Sequence, residues 1–423
     1  MTVPVFIAAA RAPVLNWLGI LLMAPAGLAV AAVLVLHPLW VFVMSRLPRR
    51  AGPAHGPGPD SLSLVIVARG AAWLEAKAEN CAALRYPCRH YDWIVWTDGP
   101  DPAAERILQS PHRPRLVMGS TARRVGKNAV LNAAVRRATG EILVFSDVDG
   151  LLHEDALVHL LSAFRDPRVG GVCGRRVIGA DGSRLAPPQR GYVRCDNAIK
   201  AMESVRGSIT SNDGKLYAIR RRLFQPVPDG VTDDLYNCLS VVEQGYRFVY
   251  EPRAAVTVPT PSRNLRHEAT RRRRIVCRSL TGLFRRPALL NPCRHGAYAL
   301  RLLINKVFRR LLPAACAAFC AGTAALAVAW PAARILLLVE AAGMLLAAGC
   351  RWAAARGGPA GPAGRPVLLV AYFTAGAWGT ALGLADAVRG RRYTVWEPVK
   401  GDGHDGAPAI DGVRLAQNTP ATH

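Results

Sequence analysis

The sequence predicts an α/β domain, a parallel sheet covered by helices, held between apolar helices directed at a membrane. Three observations predict it. Short β-branched runs recur in the middle of the chain, among them LSLVIVA at 62–68 and EILVFSD at 141–147. Amphipathic stretches of helical period separate most of them, and strand–helix–strand alternation is the pattern of a parallel sheet. The apolar residues, 51% of 423, concentrate in long runs towards both ends, with only 20% charged residues and a mean hydropathy of +0.15. That balance excludes a disordered chain, which needs low hydrophobicity.

The elements are justified in chain order. Val14 to Ser45 is an arginine-free apolar stretch, with Pro25 and Pro38 as sites of kinking. A bilayer needs about 20 apolar residues, and a cleaved signal peptide carries only about 7–15. Residues 1–47 therefore read as an uncleaved membrane anchor. Arg46, Arg49 and Arg50 come at once after it, which assigns the next segment to the cytoplasmic side. Residues 48–60 (PRRAGPAHGPGPD from Pro48) are a Pro/Gly linker.

Residues 61–262 carry the sheet domain. Further strands are expected in DWIVWTD at 92–98, RLVMG at 115–119 and VGGVCG at 169–174, with helices over Lys127–Arg137 and His153–Phe164. From 263 to 310 the texture turns basic and amphipathic, over Leu265–Arg286 and His295–Arg310, as in helices lying in a membrane interface. Apolar segments at about 311–330, 333–350 and 366–388 read as transmembrane, and 389–423 as a basic, disordered tail. Counting one anchor and three later spans puts Arg389, Arg391 and Arg392 outside, against the positive-inside rule; either one segment does not cross or the rule fails here.

The formal charge is +25, yet of 54 basic residues only six are lysines: Lys77, Lys127, Lys200, Lys215, Lys306 and Lys400. Many arginines flank apolar segments, where anionic lipid headgroups would meet them. Membrane lipids, not nucleic acid, are the expected partners of this charge. The ten cysteines form no C-x-x-C pair, so neither a zinc site nor a disulfide framework is expected.

Chemistry is concentrated at Ser146-Asp147-Val148-Asp149, directly after the apolar strand ILVF. Two carboxylates at i and i+2, at the carboxyl end of such a strand, lie where open α/β sheets bind ligands, and they suit a hard divalent cation. Upstream runs Arg124-Val125-Gly126-Lys127-Asn128-Ala129-Val130-Leu131-Asn132, then Ala138-Thr139-Gly140-Glu141. This ordered stretch resembles the family 2 glycosyltransferases of the GT-A fold, whose pattern is roughly G-K-x-x-A-L-N-x-A, A-x-G-E-I, a strand and D-x-D. The resemblance continues through Asp98 in VWTDG, Tyr217-Ala218-Ile219-Arg220-Arg221 after Gly214, Thr232-Asp233-Asp234, Gly245-Tyr246-Arg247, Tyr250-Glu251-Pro252, Arg271-x-x-Arg274-Ile275 and Val395-Trp396-Glu397-Pro398. It resembles the membrane-bound branch of cellulose, hyaluronan and poly-N-acetylglucosamine synthases.

The resemblance implies roles. Asp149 would hold Mg²⁺ or Mn²⁺ on the donor diphosphate, Asp147 would contact metal or nucleotide, and Asp98 the base. Lys127, Arg271 and Arg274 would face the departing phosphates, and Asp213, Gly214 and Asp233 would lie on the acceptor side. Asp234 would be the base of an inverting transfer from a nucleotide sugar, expected to be a UDP-sugar, to a lipid or saccharide acceptor. The site would face the cytoplasm from a multi-pass protein of the inner or plasma membrane. Bland alternatives stand beside these roles. Thr232 or Asp233 could simply cap the helix DLYNCLSVV, the arginines could be a lipid-facing run, and His153, near the D-x-D, could be a third metal ligand or a polar residue at a helix start.

Two departures from the family pattern matter. Ala68-Arg69-Gly70-Ala71-Ala72 lacks the N-E pair that relatives carry after the first strand. Ile275 stands where processive synthases have a tryptophan, so a sugar-stacking platform is lost. The first departure keeps a non-catalytic scaffold in view. The second favours single transfer over a processive polysaccharide synthase.

Overall fold

The structure, a computed structural model, describes residues 3–47, 56–109, 115–179, 182–259, 262–357 and 364–393. Most of the linker at 48–60, most of the tail at 389–423 and the Val395–Pro398 segment lie outside the described residues.

Helix α1 (Val3–Ala31) passes through a π turn, Ala32–Leu36, into α2 (His37–Arg46). The middle of the chain runs β1 (Ser61–Ala68), α3 (Leu74–Ala82), β2 (His90–Thr97), α4 (Pro102–Leu108), β3 (Leu116–Ser120), α5 (Lys127–Val135) and β4 (Ile142–Asp147). It continues through β5 (Leu151–Leu152), α6 (Ala156–Ser162), β6 (Val169–Ile178), α7 (Ala186–Arg206), β7 (Tyr217–Arg220), α8 (Asp233–Glu243) and β8 (Arg247–Val258). Then come α9 (Leu265–Phe284), α10 (Pro292–His295), α11 (Ala297–Leu302), α12 (Arg309–Leu326), α13 (Pro331–Ala355) and α14 (Gly364–Val388). The chain divides into two compact units. One holds Met1–Trp40, Asn264–Val276 and Leu300–Gly390; the other holds Val41–Arg263, Cys277–Ala299 and Arg391–His423.

The second unit is built on one eight-stranded sheet of order β3-β2-β1-β4-β7-β6-β8-β5. The β3-β2-β1-β4 half is parallel, as the alternation of strands and helices requires. The other half corrects the expectation of a wholly parallel sheet: β7 is antiparallel to both β4 and β6, and β5 to β8. Strand direction depends on how the connection returns, here through the 21-residue α7, and residue periodicity does not encode that. Between the Gly174–Glu251 and Arg175–Ala255 pairs the register of β6 and β8 shifts, and the bulge takes up Pro252, which cannot donate to a ladder.

Strand β1 is buried over seven of its eight residues, as befits a strand covered on both faces. Leu62, Leu64 and Ile66 join the core that holds Leu74 and Cys81 of α3 and Leu157 and Leu160 of α6. Val65 and Val67 are buried on the opposite face, and α5 packs on β1 and β2 through its buried Val130, Leu131 and Ala134. The turn into β4 is locked onto β1: Gly140 N–H donates to Ser63 Oγ at 2.9 Å and Glu141 N–H to Ser61 Oγ at 2.9 Å. A Cβ on Gly140 would stand 2.3 Å from the Leu62 carbonyl carbon, so only glycine fits.

In the first unit, α1 and α12 cross at a pair of glycines. A Cβ on Gly322 would lie 2.7 Å from the Gly19 carbonyl oxygen. Such contacts are how helices pack closely in lipid. Thr323 Oγ1 donates to Glu340 Oε1 of α13 at 3.0 Å, and Arg273 of α9 grips Asp386 of α14 through two bonds of 2.5 and 2.8 Å. Among the described residues three helices are long and apolar enough to cross a bilayer: Pro13–Arg46, Pro331–Ala355 and Gly364–Val388. The segment expected at 311–330 forms α12, which opens on Arg309 and Arg310 and is not one of the three.

Candidate active site

The register of the parallel half decides what meets at its carboxyl edge. Val67 pairs with Asp147 and Ala68 with Thr97, so Arg69, Asp98 and Asp147 emerge side by side from β1, β2 and β4. This is the ligand-binding edge of an open α/β sheet. Asp98 Oδ1 accepts from the backbone N–H groups of Val125 at 2.8 Å and Gly126 at 3.1 Å. It thereby shapes the loop that delivers Lys127, and Gly126 takes the positive φ of +92° that this entry to α5 demands. Arg69 stands where an acid was missed; its Nη1 is buried with no hydrogen-bond partner.

Two lysines saturate the carboxylate pair. Lys127 Nζ lies 3.0 Å from Asp147 Oδ1, and Lys215 Nζ lies 2.8 Å from Asp147 Oδ2 and 2.7 Å from Asp149 Oδ1. Burial works against ionising Asp147, but Lys127 and Lys215 outweigh it and hold the carboxyl well below the usual range. Burial likewise opposes the charge on Lys127, and Asp147 and Asp233 reverse the effect and raise its pKa. Beneath the turn, fully buried Lys77 of α3 donates to Ser146 Oγ at 2.7 Å and to the Gly150 carbonyl at 2.5 Å. Burial lowers its pKa to about 8, against the pull of Asp147.

The amino end of α8 is brought up from the other half of the sheet. Asn128 Nδ2 donates to the carbonyls of Pro228 (2.7 Å) and Val231 (3.0 Å), and Asn132 exchanges two 2.9 Å bonds with the Val227 backbone. These residues, i and i+4 on α5, clip the segment leading into α8. Arg278 of α9 reinforces the clip through Val231 O at 2.5 Å and Asn128 Oδ1 at 3.3 Å. Asp233 then meets Lys127 Nζ at 3.0 Å.

Asp234 Oδ1 accepts only the N–H of the next residue, Leu235, at 2.7 Å among the bonds described for its carboxylate. Burial first, then the charge of Asp233, push its pKa up to about 6. Gly214 faces it; a Cβ there would sit 3.6 Å from Asp234 Cβ. Thr232 provides no side-chain cap, its Oγ1 being buried without a partner, and Asp233 is engaged by Lys127. Simple capping does not account for these three residues.

Asp213 is differently committed. It pairs with Arg176 at 3.1 Å and accepts the Lys215 N–H at 3.2 Å, which makes it a support for the loop carrying Gly214 and Lys215. Arg271 and Arg274 lie on the part of α9 that belongs to the first unit; Arg271 pairs with the fully buried Glu268 at 2.9 Å. His153, weighed as a further ligand, turns its Nε2 to Thr257 Oγ1 at 3.0 Å.

Sequence reasoning missed Lys77, Lys215 and Arg278. A signal existed for the lysines. In a chain that uses arginine almost throughout, six lysines remain, and Lys77, Lys127 and Lys215 meet at the turn from Ser146 to Gly150. A compact ammonium fits where a planar guanidinium does not.

Residues 64–231 match the family model described as glycosyl transferase family 2. The chain is 25% identical over 195 residues to the poly-beta-1,6-N-acetyl-D-glucosamine synthase of Staphylococcus aureus, which is 44% of this chain and 47% of that protein. It is 25% identical over 217 residues to the beta-monoglucosyldiacylglycerol synthase of Nostoc sp., 49% of this chain and 46% of that one. The chain thus matches about half the length of these curated relatives. Among solved structures, a mannosyltransferase from Pyrobaculum calidifontis in complex with GDP-Man and Mn²⁺ aligns with a TM-score of 0.65 at 22% identity, over 88% of this chain and 99% of that one. That likeness establishes the GT-A fold.

Proposed function

We propose, for a chain that carries a family 2 glycosyltransferase domain on a GT-A fold, a membrane-embedded, metal-dependent, inverting transferase. It moves a sugar from a nucleotide donor, UDP-linked in this reading, to a lipid or saccharide acceptor at the bilayer. The observation that supports it most is the pairing of two different carboxyl environments. Asp147 is held ionised by two lysines, while Asp234, facing Gly214, is tuned up to about 6. Carboxyls pushed apart in this way mark a charge-binding group and a proton acceptor.

The donor set fits a hard divalent cation. Asp147 Oδ2 and Asp149 Oδ1 converge within 2.8 and 2.7 Å of one point, the ammonium of Lys215. Among the described residues no group of three or more His, Cys, Asp or Glu could hold a metal ion, so substrate phosphate would complete the shell. When bound, the cation supplies neutralisation of the charge that develops on the leaving diphosphate. Lys127 adds a positive charge at the same place. Asp234 takes the proton of the acceptor hydroxyl as its oxygen bonds to the anomeric carbon. The bond from that carbon to the diphosphate breaks, and its electron pair leaves with the nucleotide. A single displacement inverts the anomeric centre.

In this reading Pro13–Arg46, Pro331–Ala355 and Gly364–Val388 cross the bilayer and the sheet domain is cytoplasmic. With three spans, α13 and α14 go out and return, which brings Arg389, Arg391 and Arg392 back to the cytoplasmic side as the positive-inside rule asks. The likeness to the S. aureus synthase favours a second reading, processive polymerisation. One experiment tests both. Purified protein in nanodiscs receives a panel of nucleotide sugars, Mn²⁺ or Mg²⁺, and lipid extract. Metal-dependent nucleotide release with one donor, absent in Asp234→Asn, supports transfer, and product length separates one sugar from many. No release with any donor overturns the proposal.

A further inference from the structure

We propose that Lys215 is the resident counter-ion of the Asp147–Asp149 pair, and that a divalent cation enters by displacing it. Cation and nucleotide diphosphate are then taken up together, the diphosphate receiving the ammonium that the cation evicts. This rests on the reading of Asp147 and Asp149 as metal ligands.

The placement of Lys215 is built rather than incidental. Its carbonyl accepts from Ser146 Oγ at 3.1 Å and its N–H donates to Asp213 Oδ1 at 3.2 Å. Its backbone is therefore tied to the carboxylate turn on one side and to a buried ion-pair support on the other. Ser146 is itself held by Lys77 at 2.7 Å. From that anchor the side chain reaches over the turn, and one Nζ bridges both carboxylates at 2.8 and 2.7 Å. Its side chain keeps 19% exposure, on a flexible stem that can swing out. An arginine fork in this place would bind more rigidly and would not mimic a single cation.

The balance of charge favours exchange over simple addition. In direct ion pairs, Asp147, Asp149 and Asp233 face Lys127 and Lys215, three negative charges against two positive, with the ammonium of Lys77 behind the turn on Ser146 and Gly150. A dication added beside both ammoniums reverses that sign and sets three cationic centres on the same oxygens. A dication that replaces Lys215 on the carboxylates sets its two charges and that of Lys127 against the three carboxylates, and frees Lys215 to meet an incoming diphosphate. The free protein therefore holds a divalent cation weakly, and the nucleotide completes the site.

The test is Mn²⁺ binding, read from the electron paramagnetic resonance signal of the free ion, on the full chain without and with UDP or GDP. Wild type should bind Mn²⁺ weakly alone and tightly with nucleotide. Lys215→Met should bind Mn²⁺ alone on the order of tenfold tighter than wild type, and Lys215→Arg should not. Circular dichroism checks folding, and Lys215→Gln replaces the methionine variant if that one does not fold. If wild type needs nucleotide for Mn²⁺ but Lys215→Met is no tighter, the displacement idea is overturned and the metal reading stands. Tight Mn²⁺ binding by nucleotide-free wild type also overturns it. Absence of Mn²⁺ binding in every folded protein, with or without nucleotide, removes the metal reading and this inference with it.

Discussion

Asp234 offers the sharpest test of the chemistry. Its carboxyl is raised to about 6 by burial and by the neighbouring charge of Asp233, with the Leu235 N–H and Lys127 pulling the other way. A base must be ionised to work, so the transfer rate of wild type should climb with pH, pass half its plateau near pH 6 and level off about one unit above. At pH 5 roughly one Asp234 in eleven is ionised, and the rate should be about tenfold below the plateau. Asp233→Asn removes the second cause of the shift and releases Lys127 towards Asp234. Both effects lower the pKa, so the acidic limb should move to lower pH. Asp234→Asn should lose about 10²–10⁴-fold in turnover while retaining nucleotide affinity. The assay is nucleotide release at fixed metal from pH 4.5 to 8, with nucleotide binding followed in parallel. Turnover of Asp234→Asn within a few-fold of wild type would refute the assignment. So would a wild-type profile that stays flat between pH 5 and 7, or a limb unmoved in Asp233→Asn.

Three further outcomes are expected. Asp149→Ala should weaken metal-dependent nucleotide binding by more than the roughly tenfold typical of losing an outer-shell partner; calorimetry showing unchanged affinity removes Asp149 from the metal site. Lys77→Met leaves Ser146 Oγ and the Gly150 carbonyl short of a buried donor. That should cost about 1–3 kcal/mol, seen as a lower melting temperature in detergent, and an unchanged melt contradicts the anchoring role. Gly140→Ala drives a Cβ into the Leu62 backbone, which cannot yield as a side chain would. A loss of about 3 kcal/mol or more is expected, and near-wild-type stability would show that the turn moves freely.

Much of this was legible in the sequence because it is local. Strands β1 to β4 are apolar runs bounded by glycine, proline or charge, and each formed where the run predicted. Asp147 and Asp149 were readable as two carboxylates at fixed spacing, and the Lys127-to-Asn132 stretch through its resemblance to the family pattern. Illegible features are those in which one element answers another far along the chain. The antiparallel entry of β7 depends on the return path of α7, not on the four residues Tyr217–Arg220. Lys77 and Lys215 look like ordinary polar residues until the fold lays Ser146 beside them, 69 residues away in both cases. The family resemblance pointed to Arg271 and Arg274, whereas the arginine that α9 brings to Asn128 is Arg278.

The site is also a record of assembly. Asp147 meets Lys127 across 20 residues, Asp149 meets Lys215 across 66, and Lys127 meets Asp233 across 106. A nascent chain that ends after β4 has its carboxylates and Lys127 but neither Lys215 nor Asp234. Long-range closures of this kind come late in folding. In the proposed reading the site is therefore complete only when both halves of the sheet have joined. Proteolytic fragments or circularly cut forms that keep either half alone should be silent, and recovery of nucleotide-dependent Mn²⁺ binding on mixing them would report that the two halves had found each other.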